Sequence, residues 1–298
     1  MKNNYFSDLI KLIAIYYSGE TMKKLFEILG IIALMSFSFF YTEKTLSVVK
    51  ENDEIMIEIK EKKEQFEKEA IDANIIDDKI TPGIHGLEVD LDSSYSKMRR
   101  YGKYNESLIV TKEKNPEISI KDNYDKFVIG GNEKLNKVSF TFLATKDSKI
   151  DKILNTLKEK EIYATFFIDF YFYEDTKLKT ISSLGHEIGN LSINYNYKDA
   201  TFAWLNTKIK KYQDHTYCYS DDDNKETLLL CSISEIYTIS PSIITDTKPL
   251  YEIKKHLKNG SIISFHINEN LEKELPLIIN YIKGKGLDIV PLEELLKE

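Results

Sequence analysis

From Lys137 to the C-terminus, short segments rich in apolar residues alternate with amphipathic helical segments, and this alternation constrains the fold most strongly. The strand-like segments are residues 138–142, 164–168, 186–188, 261–265 and 287–290. Between them, apolar residues such as Ile150, Ile153 and Leu157 recur at helical spacing. Repeated strand–helix units predict parallel strands covered by helices, arranged as a sheet or a barrel.

Four motifs occur within these units in a fixed order. They read Lys-Val-Ser-Phe-Thr-Phe at 137–142, Tyr-Ala-Thr-Phe-Phe-Ile-Asp at 163–169, Leu-Gly-His-Glu-Ile-Gly-Asn at 184–190 and Gly-Ser-Ile-Ile-Ser-Phe-His at 260–266. In order and spacing the chain resembles the polysaccharide deacetylase family, also called the NodB-homology or carbohydrate esterase 4 family. The resemblance covers residues 137–298. It implies an α/β fold, specifically a distorted (β/α) barrel of the NodB-homology type.

The residues that carry catalysis in this family are replaced here. Where the family has an Asp-Asp pair after the first strand, this chain has Leu143 and Ala144. Where it has His-Ser/Thr-x-x-His after the Gly-His-Glu-Ile-Gly-Asn stretch, this chain has Leu191 and Tyr195. By resemblance, Leu143 occupies the position of the catalytic base, and the other three residues occupy the metal-ligand positions. The family's Arg-x-Pro-x-Gly segment is also missing near residues 217–222.

These replacements predict that no metal cofactor is bound at the family's site. The family would use a divalent metal such as zinc to polarise an acetamide carbonyl and to activate water. Such a metal requires oxygen or imidazole ligands. Ala144 and Leu191 offer none, and the phenol of Tyr195, with an ordinary pKa of about 10, is a poor ligand at neutral pH. His266 matches the family's late catalytic histidine and is expected to be idle, and His186 is expected to support a turn.

Polar residues expected at the carboxyl rim of the barrel offer a carbohydrate-binding groove in place of a catalytic site. The candidate groove residues are Asp169, Asn190, Ser192, Asn194 and His266. We therefore predict an inactive deacetylase-like protein that binds envelope carbohydrate or contacts an envelope partner. One alternative is an active N-acetyl-sugar deacetylase, of the peptidoglycan or chitin type, with metal ligands relocated to Asp147, Asp169, Asn194 or His266. The other is a structural envelope interaction protein.

The N-terminal segment predicts a membrane anchor. Residues 25–41 are apolar except for Glu27 and two serines, and Lys23 and Lys24 precede them. This length, about 17 residues, is the lower limit for a bilayer-spanning helix. The positive-inside rule places the N-terminus in the cytoplasm and the C-terminal domain outside the cell membrane. The predicted domain order is a cytoplasmic segment at 1–22, a transmembrane anchor at 23–42, a charged helical stalk at 43–72, a β-containing lead-in at 73–136 and the deacetylase-like domain at 137–298.

Charge and cysteine content limit the remaining possibilities. The net charge is −7 and the sequence shows no basic face, which argues against a nucleic-acid partner. The chain has two cysteines, Cys218 and Cys231. Outside the membrane such a pair can oxidise to a disulfide. Two free, buried thiols are equally compatible with the sequence.

Overall fold

The computed structural model describes residues 23–24, 26–39, 41, 48–198 and 200–298. Residues 26–39 are helical. Within the described residues, no helix combines the length and the apolar character required to cross a membrane. Leu25, Phe40 and residue 42 of the predicted anchor lie outside the described residues, as does the predicted cytoplasmic segment 1–22. Single-pass anchoring therefore stays a prediction.

The described secondary structure alternates strands and helices over the C-terminal half. The strands are β1 (Asn74–Ile76), β2 (Lys79–Thr81), β3 (Gly86–Val89), β4 (Thr111–Lys114), β5 (Phe127–Val128), β6 (Lys137–Ala144), β7 (Thr165–Ile168), β8 (Glu187–Asn190), β9 (Cys218–Tyr219), β10 (Thr238–Ile239), β11 (Ile243–Thr245), β12 (Ile262–His266) and β13 (Asp288–Val290). The helices are α1 (Glu54–Lys62), α2 (Leu91–Tyr101), α3 (Asp151–Glu159), α4 (Asp175–Ser183), α5 (Ala200–Ile209), α6 (Lys225–Ile233), α7 (Pro249–His256), α8 (Glu269–Gly284) and α9 (Leu292–Leu295).

The chain divides into two compact units by its internal contacts. The first comprises Met1–Glu67, as far as it is described, with Glu88–Lys112, and the second comprises Lys68–Leu87 with Glu113–Glu298. In the first unit, Met56 and Ile59 of α1 are buried with Met98 of α2. This part of the predicted charged stalk is therefore a packed amphipathic helix, with its charged residues on the solvent side.

A parallel sheet forms the core of the second unit. Its strand order is β11-β12-β6-β7-β8, and β13 also pairs with β6. Alternate residues of a strand point to opposite faces. Phe142 and Phe166 accordingly pack in a cluster with residues of the surrounding helices, whereas Leu143 and Phe167 pack in a second cluster on the other face.

The described strands do not close into the predicted (β/α) barrel. The strands β9 and β10 belong to a separate sheet with the order β1-β2-β5-β10-β9. Both edges of β10 are occupied, because β5 from the lead-in pairs with one edge and β9 with the other. β10 therefore cannot pair with β11, and the strands remain divided between two sheets. A backbone hydrogen bond of 2.8 Å, from Asn190 N–H to the carbonyl oxygen of Tyr217, links β8 to the segment before β9.

Candidate functional site

The carboxyl ends of four neighbouring strands meet at one edge of the main sheet, which we call the rim. His266 at the end of β12 lies opposite Leu143, and Ala144 at the end of β6 lies opposite Ile168. Ile168 in turn lies opposite Asn190, the last residue of β8. This edge is where parallel α/β folds place their functional side chains.

The space inside the rim is filled by apolar side chains. Leu143 and Leu191 are 2% and 0% exposed, and both belong to one buried cluster with Phe167 and Tyr219. The ring of Phe167 lies so close to Gly189 that a Cβ at this glycine would come within 2.3 Å of it. The hydroxyl of Tyr219 pairs with Ser264 Oγ at 2.9 Å. The volume next to the base position is therefore occupied by packed, mostly apolar groups.

The loop that follows β8 carries both positions at which the family has a ligating histidine, Leu191 and Tyr195. Ser192, Asn194 and Tyr195 have positive φ angles of 56°, 49° and 60°, so the loop is not a helical turn. Residues four apart share one face in a regular helix or strand, and this loop is neither. Leu191 is accordingly buried, while Tyr195 is 37% exposed.

Tyr195 does not fit a metal-ligand role. Its ring lies 6.1 Å from the ring of Tyr219, measured between centroids. Burial, together with the smaller effect of the nearby Asp221 and Asp169, raises the pKa of Tyr195 to about 12. The phenol therefore stays protonated at neutral pH. Together with the apolar side chains of Ala144 and Leu191, it forms a set of residues that does not fit the metal of the family.

Two of the predicted groove residues have a structural role instead. Asn190 is buried, and its side chain donates to the carbonyl oxygen of Phe202 at 3.1 Å and accepts from Ser192 N–H at 2.7 Å. Ser192 is also buried, and its hydroxyl donates to the carbonyl oxygen of Asn196 at 2.7 Å. Because these hydrogen bonds hold the loop together, both side chains are turned inward and do not line a groove.

The other predicted rim residues are dispersed. The carboxylate of Asp169 is buried and accepts a hydrogen bond from Phe172 N–H at 2.7 Å. Burial raises the pKa of Asp169, and hydrogen bonds from the backbone N–H groups of Phe172 and Tyr171 oppose this shift. Asn194 and Asp147 are exposed, and His266 is partly buried. Among the described residues, the one group of three His, Cys, Asp or Glu donors within 4.8 Å of one another contains none of these four residues.

An exposed aromatic surface lies beside the rim, and it was not among the predicted site residues. It consists of Phe170, Tyr171 and Tyr173, which follow β7, and Trp204 of α5. The ring of Phe170 lies 5.6 Å from that of Tyr171 and 5.4 Å from that of Trp204. The ring of Tyr173 lies 4.8 Å from that of Trp204. The run of four aromatic residues at 170–173, directly after a strand, was the sequence signal for this surface.

The side chain of His186 packs below the rim as a neutral imidazole. Its Nδ1 accepts a hydrogen bond from Ala164 N–H at 3.3 Å, and its ring lies 5.3 Å from the ring of Phe166. Burial lowers the pKa of His186 to about 4. A ligand role is excluded for Nδ1, because its lone pair is used in this hydrogen bond.

We expect the protein to lose stability as the pH falls from about 6.5 towards 4, in part because of His186. The unfolded chain binds a proton at this residue with a pKa of about 6.5, whereas the folded chain resists protonation. The stabilisation is therefore complete above pH 6.5, and about 2 kcal/mol of it is lost at about pH 5. The variant His186→Asn keeps a hydrogen-bond acceptor and does not titrate. Denaturation at neutral and acidic pH should show a smaller loss in the variant; equal losses would contradict this assignment.

Comparisons with known proteins agree with this architecture. No family model matches the chain. A curated relative, "Uncharacterized protein YlxY" of Bacillus subtilis, is 25% identical over 286 residues, which are 85% of this chain and 87% of the relative. Among solved structures, BA3943 of Bacillus anthracis, described as a CE4 family pseudoenzyme, is 22% identical with a TM-score of 0.62. That alignment covers 83% of this chain and 96% of BA3943.

Two further structures extend the comparison. A mutant of BA3943, described as having restored enzymatic activity, is 22% identical with a TM-score of 0.62, covering 83% of this chain and 99% of the mutant. PdaA of Bacillus subtilis, a family 4 carbohydrate esterase, is 21% identical with a TM-score of 0.50, covering 59% of this chain and 86% of PdaA. The motifs of the sequence and these structural likenesses together show that the chain has the polysaccharide deacetylase-like fold of carbohydrate esterase family 4.

Proposed function

We propose that this chain is a catalytically inactive deacetylase-like protein that binds carbohydrate of the cell envelope. The observation that carries the proposal is the packing inside the rim. Leu143 and Leu191 are buried against Phe167 beside the strand ends where a catalytic metal and its water would have to lie. The description of BA3943 as a pseudoenzyme supports the proposal, since that protein shares the fold over most of its length.

Carbohydrate is the ligand class that the aromatic surface favours. Tyr171 and Trp204 are 50% and 38% exposed. An aromatic ring offers an apolar face to the C–H groups of a sugar, and the hydroxyl of a tyrosine offers a hydrogen-bonding group at its edge. Phe170 packs against both rings, and this contact reduces the side-chain freedom that they would lose on binding. Tyr195, 37% exposed, adds a further phenol on the loop after β8.

The proposal is tested by titrating the full chain with chito-oligosaccharides and peptidoglycan fragments. Trp204 is the single tryptophan of the chain, so its fluorescence reports directly on the aromatic surface. We expect saturable binding that Tyr171→Ala weakens by about tenfold, which corresponds to about 1.4 kcal/mol. The control is Tyr251→Ala, which removes a tyrosine that is 60% exposed on α7. Absence of binding, or equal effects of the two variants, would overturn the proposal.

A second measurement concerns catalysis. We expect no release of acetate from the same oligosaccharides, with or without added zinc, because the described rim residues supply neither the family's catalytic base nor its metal ligands. His266→Ala should leave this result unchanged, since a histidine without these partners has no water to act with. Acetate release that disappears in the His266→Ala variant would show residual chemistry and would favour an active deacetylase.

We also propose that the protein is attached to the cell membrane by residues 23–42, with its deacetylase-like domain outside. The sequence supports this, because Lys23 and Lys24 precede an apolar segment. The full chain should then fractionate with membranes and resist extraction by salt and carbonate. Recovery of a shortened form in the supernatant would show that the segment is removed as a signal peptide.

A further inference from the structure

A second candidate site lies at the end of the strands opposite to the rim. A groove of about 850 Å³ is lined there by residues that directly precede β9 and β10, among them Thr216, Tyr217 and Tyr237. His215 and Glu293 also line the groove. None of the positions that bind metal in the deacetylase family belongs to it.

Three side chains of the types that bind metals, Glu187, His215 and Glu293, converge beside this groove. His215 Nε2 lies 3.8 Å from Glu187 Oε1 and 3.8 Å from Glu293 Oε2. All three ligand atoms lie within 4.8 Å of one another. The Nε2 atom is buried and has no hydrogen-bond partner in the described structure. A buried imidazole nitrogen that faces two carboxylates is compensated either by its own proton or by a cation bound between the three groups.

The carboxylate of Glu187 is already oriented for ligation. Its Oε2 accepts hydrogen bonds from the hydroxyl of Thr165 and from Leu292 N–H, the latter at 3.0 Å. Its Oε1 accepts one bond, from Glu293 N–H at 2.9 Å, and so keeps a lone pair on the side of His215. Hydrogen bonds of this kind fix the direction of a ligating carboxylate and increase metal affinity.

We propose that Glu187, His215 and Glu293 bind a divalent transition metal, with zinc as the best match. One imidazole and two carboxylates are ligands that zinc accepts, and a site with three protein ligands keeps a position open for water. The two carboxylates also balance the charge of the ion. The open position faces the groove, where a small anionic ligand or water completes the coordination.

The geometry requires only a small adjustment. Ligand atoms at the usual zinc distances lie about 3.3 Å apart in a tetrahedral site. Each 3.8 Å separation must therefore shorten by about half an ångström on binding. Glu187 stays fixed, so the side chains of His215 and Glu293, which are 38% and 73% exposed, supply this movement. The ion would then connect α9 to the starts of β8 and β9.

The test is a calorimetric titration of the chelator-treated full chain with zinc chloride. We expect one zinc per chain, bound with micromolar or higher affinity, and a higher melting temperature in zinc. His215→Gln and Glu293→Gln should each weaken binding by about tenfold or more. Glu187 is left unchanged, because it also accepts the N–H groups at the start of α9. The folding of each variant is verified by circular dichroism.

The matched control is His256→Gln. His256 Nε2 also lies 3.8 Å from a carboxylate, that of Glu252, but this pair is exposed on α7, and no third His, Cys, Asp or Glu donor of the described residues joins it. This control should bind zinc as the wild type does. At about 100 µM zinc, a concentration far above the expected Kd, the wild-type protein should be saturated. Absence of binding at this concentration would overturn the proposal. Equal zinc binding by the His215→Gln and wild-type proteins would also overturn it. So would a melting temperature that depends on pH but not on zinc, which would identify a protonated imidazole between two carboxylates. None of these results depends on carbohydrate binding at the rim.

Discussion

Restoring the family's catalytic residues at the rim is expected to destabilise this chain by at least about 5 kcal/mol in the presence of a chelator. The variant carries Leu143→Asp, Ala144→Asp, Leu191→His and Tyr195→His. Leu143 and Leu191 are buried among Phe167 and other apolar side chains. Their replacement removes apolar contacts and places polar groups inside this buried cluster, at a cost in desolvation.

Single variants separate the buried positions from the exposed one. Leu191→His should account for about 2–5 kcal/mol, because the leucine is 0% exposed. Tyr195→His should lower the free energy of unfolding by less than about 1 kcal/mol, because this side chain is 37% exposed. This variant is therefore the control within the set. Chemical denaturation in chelator measures both. If the quadruple variant is as stable as the wild type, the rim is open and hydrated, and the packing described above is incorrect.

We do not expect zinc to restore the stability of the quadruple variant. The positive φ angles of Ser192, Asn194 and Tyr195 give this loop an irregular backbone, and position 191 is buried whereas position 195 is 37% exposed. Two histidines there would not face the same ion. The wild type must be measured in parallel, because zinc bound at Glu187, His215 and Glu293 would stabilise both proteins. A larger zinc effect in the variant than in the wild type would show that the loop can still adopt a metal-binding geometry.

The α/β class and the position of the rim could be predicted from the sequence because their signals are local. Strand-length apolar segments alternate with helical spacing, and the ends of successive parallel strands share one edge. Leu143 and Ala144 could be placed at the rim because they directly follow the first motif, residues 137–142, and so end the same strand. The same local information indicated that Leu191 cannot ligate a metal.

Features that depend on long-range pairing could not be predicted. The barrel does not close because β5, from the lead-in, pairs with β10, more than a hundred residues later in the chain. Glu187, His215 and Glu293 meet through the same kind of long-range arrangement, and no motif spacing connects them. The inward direction of Ser192 accompanies its positive φ angle, which the sequence does not encode in a recognisable glycine or turn motif.

The disulfide between Cys218 and Cys231 is expected to contribute about 3 kcal/mol to the stability of the chain. It joins β9 to α6 across a sequence separation of 13 residues, and it decides between the two states that the sequence left open. Cross-linking a loop of this length restricts the unfolded chain, so its removal favours unfolding. The disulfide matters for the fold because β9 has only two residues and forms few hydrogen bonds with its neighbouring strand.

The double variant Cys218→Ala, Cys231→Ala should therefore unfold at a lower denaturant concentration than the oxidised wild type. Alanine suits both positions, because each cysteine is 0% exposed and a polar replacement would add a desolvation cost. The control is the effect of a reducing agent on each protein. It should lower the stability of the wild type to near that of the variant, and it should leave the variant unchanged, because the variant has no other cysteine. If reduction leaves the wild type unchanged as well, the bond does not constrain the unfolded chain, and the stability of β9 must come from the buried packing of Tyr197 and Phe202 around the two sulfur atoms.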